Sequence, residues 1–345
     1  MKRWFCIVFV LVLAVGLLAG CGGMNDPAEP AETAAQEPLQ IVTTIFPVYD
    51  WVREVMGETA DGAELTLLLD SGVDLHSYQP TAEDMVKISA CDLFIYVGGE
   101  SDEWVDGALA EAVNPDMVVI DLMDVLGDAV KEEEVVEGMQ DEEHDHHHDE
   151  GEDHEETHEH EEEGPEYDEH VWLSLRNAAV LCDAIAGALG ELDPENSTVY
   201  TANAAAYAQK LNALDADYQA VVESTPLQTI LFGDRFPFRY LADDYGLTYY
   251  AAFVGCSAET EASFETIVFL AGKVDELGLP AVLTIESGDG KIARTIVENT
   301  AAGTAQILQM DSLQSTTARD VAEGATYLGA MERNLDVLRQ ALGAA

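Results

Sequence analysis

Two histidines stand apart from the other seven histidines of this chain. His76 lies in the stretch from Gly72 to Pro80, and His170 lies in the stretch from Tyr167 to Leu173. Each of these histidines follows a short acidic stretch of sequence. Because imidazole nitrogen is a preferred ligand of zinc, the pair is a candidate metal site. The alternative is that each histidine only makes local hydrogen bonds beside the start of a helix.

The other seven histidines lie in an acidic segment, residues 131–169, which holds 21 Asp or Glu residues and one Lys. A segment of this composition cannot bury enough apolar surface to form a core. We therefore predict an insertion loop over 131–166. A coil of about 39 residues has ends roughly 35 Å apart on average, so its tip reaches over a neighbouring cleft. Its histidines would act as an auxiliary metal loop with weak sites: His144, His146, His147, His148, His154, His158 and His160.

The overall charge excludes one class of partner. The chain has 345 residues and a formal charge of −52, with only 15 Lys and Arg. Phosphate binding depends on those basic residues, so we exclude nucleic acid as a partner. The charge suits cations. The length favours two lobes, and the apolar content of 48% is enough to fill two cores.

The start of the chain has the pattern of an export signal. Lys2 and Arg3 precede an apolar run over 4–18, and Leu18 to Cys21 resembles the bacterial lipobox. The run is too short for a membrane span, which needs about 20 apolar residues. We predict a signal peptide over 1–20, lipidation of Cys21 on the outer face of a bacterial membrane, and a flexible tether over 21–38. An ordinary cleaved signal is the alternative.

From residue 40 onward, short β-branched runs alternate with helical patterns, which is typical of parallel sheets flanked by helices. We predict an α/β fold of two Rossmann-like lobes, 39–190 and 226–345, joined by a long rigid helix within 191–225. Strands are expected at 40–45, 64–69, 93–97, 117–120, 228–232, 248–253, 281–286 and 306–310. Helices are expected at 48–56, 81–90, 102–112, 172–191, 195–223, 236–245, 260–278, 288–300 and 318–342.

Two motifs resemble those of a known family. Residues 72–81 match G-x-D-x-H-x-Y-x-P-T, and residues 168–173 match D-x-H-V-W-L. Both are metal-ligand motifs of the zinc and manganese solute-binding lipoproteins of ABC transporters (cluster 9), which the mature chain resembles along nearly its whole length. The resemblance implies that His76 and His170 bind a divalent metal in a cleft between the lobes. It also implies a monomer that delivers the metal to a membrane permease and its ATPase.

The family takes two further ligands from the second lobe. Asp234 matches the position where zinc members have His and manganese members have Glu, which is a departure from the pattern. The alternative for Asp234 is an N-cap of the next helix. Asp311 follows a late strand where the family has an acid, and Glu286, which also ends a strand, competes with it as ligand or as a helix cap. These positions all lie at the carboxyl ends of strands, where open α/β sheets bind ligands.

The resulting set is two neutral nitrogens and two carboxylates: His76, His170, Asp234 and Asp311. With a divalent ion this set has a net charge near zero, which favours burial. Affinities rise from Mn²⁺ towards Zn²⁺ in any such site, so zinc is the predicted cargo and manganese the alternative.

Two other classes of protein compete with transport. A zinc-dependent hydrolase would need an open metal position and a motif such as G-x-S-x-G, which this sequence lacks, or H-E-x-x-H on a helix. The string H-E-x-x-H occurs at 154–158, but it lies inside the acidic segment, where no helix is predicted. We therefore predict no enzymatic activity. A surface adhesion protein would bind its target even without His76 and His170. Cys91, Cys182 and Cys256 are expected to be buried thiols, and a single disulfide among them is left open.

Overall fold

Two four-stranded parallel sheets form the framework of the molecule. A computed structural model describes residues 38–140, 166–257 and 261–344. The strand orders are β2-β1-β3-β4 and β6-β5-β7-β8. The strands are β1 Leu39–Thr43, β2 Ala63–Leu67, β3 Leu93–Tyr96, β4 Val118–Asp121, β5 Thr229–Phe236, β6 Thr248–Val254, β7 Ala281–Ile285 and β8 Gln306–Met310. The predicted two-lobe α/β fold is confirmed: the first lobe carries β1 to β4, and the second lobe carries β5 to β8.

Helices flank both sheets. In the described part of the chain they are α1 Phe46–Met56, α2 Ala82–Ala90, α3 Trp104–Ala110, α4 Leu122–Leu126, α5 Leu175–Leu192, α6 Ser197–Glu223, α7 Arg239–Tyr245, α8 Phe264–Leu277, α9 Lys291–Asn299, α10 Ala318–Ala322 and α11 Tyr327–Ala341. Short 3-10 turns at Leu75–Ser77 and Val171–Leu173 lie next to the two isolated histidines. These two turns are the elements that position the site.

Helix α6 is the long helix expected between the lobes. It has 27 residues and is therefore roughly 40 Å long. It begins at Ser197, two residues later than predicted. It packs against α1 and α5 on one side and against α7 and α11 of the second lobe on the other. One straight element thus contacts both lobes.

The core divides unequally between the faces of the sheets. One continuous apolar cluster includes the first lobe, helices α5 and α6 and one face of the second sheet. A smaller cluster fills the other face of the second sheet, beneath α8 and α9, and includes Leu231, Phe253 and Val282. The inner strand β7 is therefore buried along its whole length and reads as an almost continuous apolar run, whereas the edge strand β8 is largely exposed.

The predicted helix over 318–342 is wrong in one respect, since it is two helices. Gly324 has a φ of +95°, a conformation that glycine adopts at little cost, and the chain turns there. Helix α11 then begins at Tyr327, and the Thr326 side chain accepts a hydrogen bond from the N–H of Gly329. A glycine in a periodic apolar pattern was the available signal.

The beginning of the acidic segment is not a free loop, which corrects the expectation for residues 131–140. The N–H of Lys131 donates to Tyr240 Oη at 3.0 Å, and the N–H of Gln140 donates to the carbonyl of Ala252 at 2.9 Å. Glu132 forms a bridge with Tyr167 across the base of the insertion. The segment therefore starts and ends against the folded protein.

Several predicted features lie outside the described residues. These are the signal peptide and tether, with Cys21, and the seven auxiliary histidines between 141 and 165. Within the described ranges, no helix combines the length and the apolar character needed to cross a membrane.

Candidate metal centre

The two D-x-H stretches fold in the same way around their histidines. Asp74 Oδ1 accepts a hydrogen bond from the N–H of His76 at 3.1 Å. Asp168 Oδ1 accepts one from the N–H of His170 at 2.9 Å. An aspartate that bonds the N–H two residues later fixes the local turn without help from distant residues. Each motif therefore orients its own histidine.

Carboxylates also hold the two imidazole rings. The buried His170 donates from Nδ1 to Asp168 Oδ1 at 2.9 Å. Nδ1 of His76 lies 2.8 Å from Ser101 Oγ and 3.3 Å from Glu169 Oε2. A carboxylate beside Nδ1 assigns the proton to that nitrogen and leaves Nε2 as a bare electron pair. Both histidines are thus prepared as metal ligands.

The two bare nitrogens face each other. His76 Nε2 and His170 Nε2 are 3.3 Å apart. Two nitrogens each about 2.0–2.1 Å from a tetrahedral zinc ion are themselves roughly 3.3–3.4 Å apart. Two electron pairs held this close repel unless a proton or a metal ion lies between them. The spacing fits a shared zinc ion.

Glycines let other chain segments approach the rings. Gly99 has a φ of +81°, and a Cβ there would lie 2.5 Å from Glu169 Oε1. A Cβ on Gly255 would lie 3.0 Å from Cε1 of His170. Any larger residue at these positions would push Glu169 or the chain after β6 away from the histidines.

Cys256, which directly follows Gly255, is the residue of this cluster that sequence reasoning missed. His76, His170 and Cys256 each offer one ligand atom, and these atoms lie within 4.8 Å of one another. The N–H of Cys256 donates to Glu133 Oε1 at 3.1 Å. Burial, followed by the charges of Asp168 and Glu133, raises the pKa of the thiol well above its usual value. The available signal was its position at the carboxyl end of a predicted strand.

The three cysteines in the described part of the chain form no disulfide with one another. Cys91, Cys182 and Cys256 are all free thiols. Cys91 and Cys182 are buried, whereas Cys256 is half-buried. The alternative of a single disulfide among them is therefore not realised in this structure.

An acidic cavity opens beside His76 and Cys256. It has a volume of about 220 Å³, and four glutamates contribute to its lining: Glu100, Glu133, Glu166 and Glu169. Burial and the repulsion of neighbouring glutamates raise the pKa of Glu100. Burial alone would raise the pKa of Glu169 too, but its contacts with His76 and the hydrogen bond from the N–H of Ser101 hold it below the usual value. The cavity is an approach route suited to cations.

The structure does not bring Asp234 to the histidine pair. Asp234 lies within β5, which continues to Phe236 with an irregular register, and not at the head of the following helix. Its carboxylate accepts hydrogen bonds from the N–H of Arg235 at 2.9 Å and from that of Ile285 at 3.3 Å. Burial raises its pKa. Asp234 is neither the N-cap of α7 nor a member of the cluster, and it ties β5 to β7.

Asp311 and Glu286 are not in the cluster either. Asp311 Oδ1 accepts a hydrogen bond from the N–H of Leu313 at 2.9 Å. Glu286 accepts two bonds from Ser312, at 2.7 Å from its N–H and at 2.7 Å from its hydroxyl. Glu286 does not cap α9, whose N-cap position is Gly290. Both acids brace the turn that follows β8.

That turn places a glutamine against His170. Gln314 is 4% exposed, and its Nε2 lies 3.2 Å from His170 Nε2. Its Oε1 is buried and has no hydrogen-bond partner among the described residues. Sequence reasoning missed Gln314 as well, because a lone glutamine in a loop carries no metal signal.

Direct bonds join the lobes at the site. Asp74 pairs with Arg235 at 2.6 Å, and Trp172 Nε1 donates to the carbonyl of Ser312 at 2.9 Å. Burial alone would raise the pKa of Asp74, but the charge and hydrogen bond of Arg235, together with the contacts to His76, outweigh burial and lower the pKa. The histidines come from the first lobe, and Cys256 and Gln314 come from the second. The site therefore lies in the cleft between them.

A pair of parallel α/β lobes with metal-type ligands gathered at the carboxyl ends of both sheets defines a bilobed binding protein. Comparison with known families agrees. The chain belongs to the family described as ZnuA, zinc-uptake complex component A, periplasmic, whose model matches residues 41–341. The members of this family are components of metal-uptake systems.

Individual relatives carry the same signal. The chain is 32% identical over 306 residues to the zinc-binding lipoprotein AdcA of Streptococcus pneumoniae serotype 4, covering 89% of this chain and 56% of that protein. The chain thus spans little more than half the length of the streptococcal relatives it matches. It is 28% identical over 341 residues to the high-affinity zinc uptake system protein ZnuA of Bacillus subtilis, covering 99% and 98%.

The fold agrees with a solved structure. The zinc-bound ZnuA-like domain of Streptococcus pneumoniae AdcA superposes with a TM-score of 0.65 at 28% identity, covering 88% of this chain and 99% of that domain. At this coverage the similarity extends over both lobes.

Proposed function

We propose that this chain is the extracytoplasmic zinc-binding component of an ABC uptake system and that His76 and His170 bind the ion it carries. The observation that supports this most directly is the 3.3 Å separation of the two Nε2 atoms. Both rings are oriented by carboxylates on their far nitrogens, an arrangement that recurs around zinc-binding histidines. Zinc is favoured over manganese because imidazole suits zinc better, and manganese is the alternative cargo.

The proposal includes a location and partners. The lipobox-like stretch ending at Cys21 supports export and lipid anchoring, and the family description places its members in the periplasm. A pneumococcal relative is named a lipoprotein. A protein of this kind hands its ion to a permease driven by an ATPase. We propose that the chain acts as a monomer, with one ion in the cleft.

The decisive experiment removes the histidine pair. We expect the His76→Ala, His170→Ala double variant to lose more than about 100-fold in zinc affinity, beyond the 10–100-fold typical of changes to residues behind the ligands. A chelator-competition titration of the purified mature protein measures this, with manganese titrated in parallel. Thermal melting checks that the variant is folded, and His76→Ala alone provides a milder change.

Two outcomes would contradict the proposal. One is wild-type protein that takes up no equivalent of zinc against a chelator. The other is a folded double variant that keeps the affinity of the wild type. Binding of an adhesion target that persists without both histidines would instead favour the surface adhesion class of protein.

The auxiliary role of the acidic insertion is a separate proposal. We expect deletion of residues 141–163 to leave the tight site intact and to remove weak additional sites, because ligands on a long loop lose conformational entropy when they bind. The deletion starts at 141 so that Gln140 keeps its bond to Ala252. Isothermal titration with zinc gives both stoichiometry and affinity, and loss of the tight site would disprove this division of roles.

A further inference from the structure

The histidine pair supplies two ligands, whereas a closed zinc site has four. Neither carboxylate predicted to complete it, Asp234 or Asp311, lies in the cluster. Cys256 and Gln314 of the second lobe do approach His170. We infer that the sulfur of Cys256 and the amide oxygen of Gln314 complete the centre, giving two nitrogens, one sulfur and one oxygen. This inference rests on the proposed zinc-binding function and specifies the chemistry of its site.

Cys256 is held where a ligand is needed. The chain after β6 passes very close to His170. A Cβ at position 255, which is a glycine, would lie only 3.0 Å from the ring. The N–H of Cys256 is fixed by Glu133. A divalent ion bound by the two imidazoles would draw the thiol proton away, because a thiol that coordinates zinc is deprotonated outright.

Gln314 provides an independent sign of a missing ligand. Its buried Oε1 lacks a hydrogen-bond partner among the described residues, although a buried oxygen left unpaired is destabilising. Its NH₂ group instead donates to Nε2 of His170. An ion on that nitrogen would displace this donor. A half-turn of the amide would then direct Oε1 at the ion and satisfy the oxygen.

A strained turn holds Gln314 in place. Leu313 has a φ of +64°, and it is the non-glycine residue with positive φ in the described chain. This conformation is unfavourable for a leucine because its Cβ crowds the backbone. The hydrogen bonds that the N–H of Leu313 donates to Asp311 and the N–H of Ser312 donates to Glu286 offset that cost. The acids that were expected to bind metal thus position the residue that follows them.

This ligand set determines which ion the site prefers. A thiolate is a soft ligand that favours zinc, whereas manganese prefers carboxylate and carbonyl oxygen. The set predicted from the sequence, with two carboxylates and no sulfur, would tolerate manganese. Selection of zinc over manganese therefore follows from Cys256.

The test uses the metal alone and the full mature chain. The wild-type protein loaded with Co²⁺ should show the near-ultraviolet sulfur-to-cobalt charge-transfer band, and Cys256→Ser should abolish it. Cys91→Ala, which removes a buried thiol far from the cleft, should retain it. We expect Cys256→Ser to lower zinc affinity by at least about 100-fold and to reduce the preference for zinc over manganese.

Gln314 is tested by a matched pair. Gln314→Leu keeps the volume and removes the oxygen, so zinc affinity should fall about 10-fold. Gln314→Glu keeps an oxygen in place and should restore or exceed the affinity of the wild type. Equal affinity for Gln314→Leu and the wild type would overturn the role of the amide oxygen.

One measurement needs no variant. X-ray absorption at the zinc edge of the wild-type protein should show a sulfur neighbour at about 2.3 Å. A tightly bound zinc ion with only nitrogen and oxygen neighbours would overturn the inference and leave the proposed function standing. Wild-type protein that binds no zinc would overturn both.

Discussion

The two lobes offer metal ligands in different ways. In the first lobe, carboxylates stand behind His76 and His170 and point the rings at a common centre. In the second lobe, the acids Asp234 and Asp311 turn to nearby backbone N–H groups. The same side-chain type thus orients ligands on one side of the cleft and braces turns on the other. An acid beside the cleft can thus orient a histidine or stabilise a turn, and its hydrogen-bond partners show which of the two it does.

The largest effect should come from removing the charge of the carboxylate that orients His170 in the first lobe. Asp168→Asn keeps an oxygen near Nδ1 of His170 but removes the negative charge and permits the wrong ring tautomer. We expect a 10–100-fold loss of zinc affinity with little change in melting temperature. Chelator-competition titration measures it, and Asp183→Asn, on the exposed side of α5, is the matched control. Unchanged affinity would mean that the carboxylate only stabilises the fold.

A second prediction concerns the joint between the lobes. Asp50 in α1 accepts a hydrogen bond from the N–H of Tyr327 in α11 at 2.8 Å. Burial, with the charge of Glu54, raises its pKa to about 6. Because the folded state holds this proton more tightly than the unfolded state, stability falls as pH rises from about 4 to about 6, by roughly 3 kcal/mol at most. Above pH 6 the loss is complete.

Asp50→Asn should remove that part of the pH dependence. The amide oxygen still accepts from Tyr327, and no charge has to be buried at neutral pH. Melting curves at pH 4, 5, 6 and 7 should show that the melting temperature of the variant rises relative to that of the wild type as the pH increases. A constant difference across this range would contradict the assignment.

The smallest effect is expected from the carboxylates of the second lobe. Asp311→Asn and Asp234→Asn both retain an oxygen for the backbone N–H groups they serve. The Asp311→Asn variant also loses the ion pair with Arg333, which is an exposed contact worth about 1 kcal/mol or less. Zinc affinity should stay within about 3-fold of the wild type, roughly the effect of such a pair. A loss above 100-fold for either would restore that residue as a ligand.

Much of the fold could be predicted because its signals are local. Thr81 and Asp84, three residues apart, form a capping box, and α2 begins directly after Thr81. The strands follow β-branched runs, and the first-lobe histidines come with D-x-H motifs whose turns are fixed within three residues. The end of β5 was misplaced because Gly233 and Asp234 look like the end of a strand, yet the pairing with β6 resumes at Arg235.

The second half of the site could not be predicted, for a physical reason. Cys256 and Gln314 are close to His170 only because β6 and β8 belong to one sheet and because the second lobe closes on the first. The spacing of residues along the sequence does not indicate that these side chains lie close to His170. Family resemblance directed attention to Asp234, and its carboxylate is bonded to the N–H of Ile285, a partner 51 residues away.

The acidic cavity beside His76 should affect the rate at which an ion associates but not its residence time. Four glutamates that line the cavity concentrate negative charge there, and we expect them to raise the arrival rate of cations by about 10-fold or more. That attraction reaches about 8–10 Å and weakens as salt screens it. Residence time depends on the ligands themselves, deeper in the cleft. Ionic strength should therefore change the speed of loading far more than the speed of release.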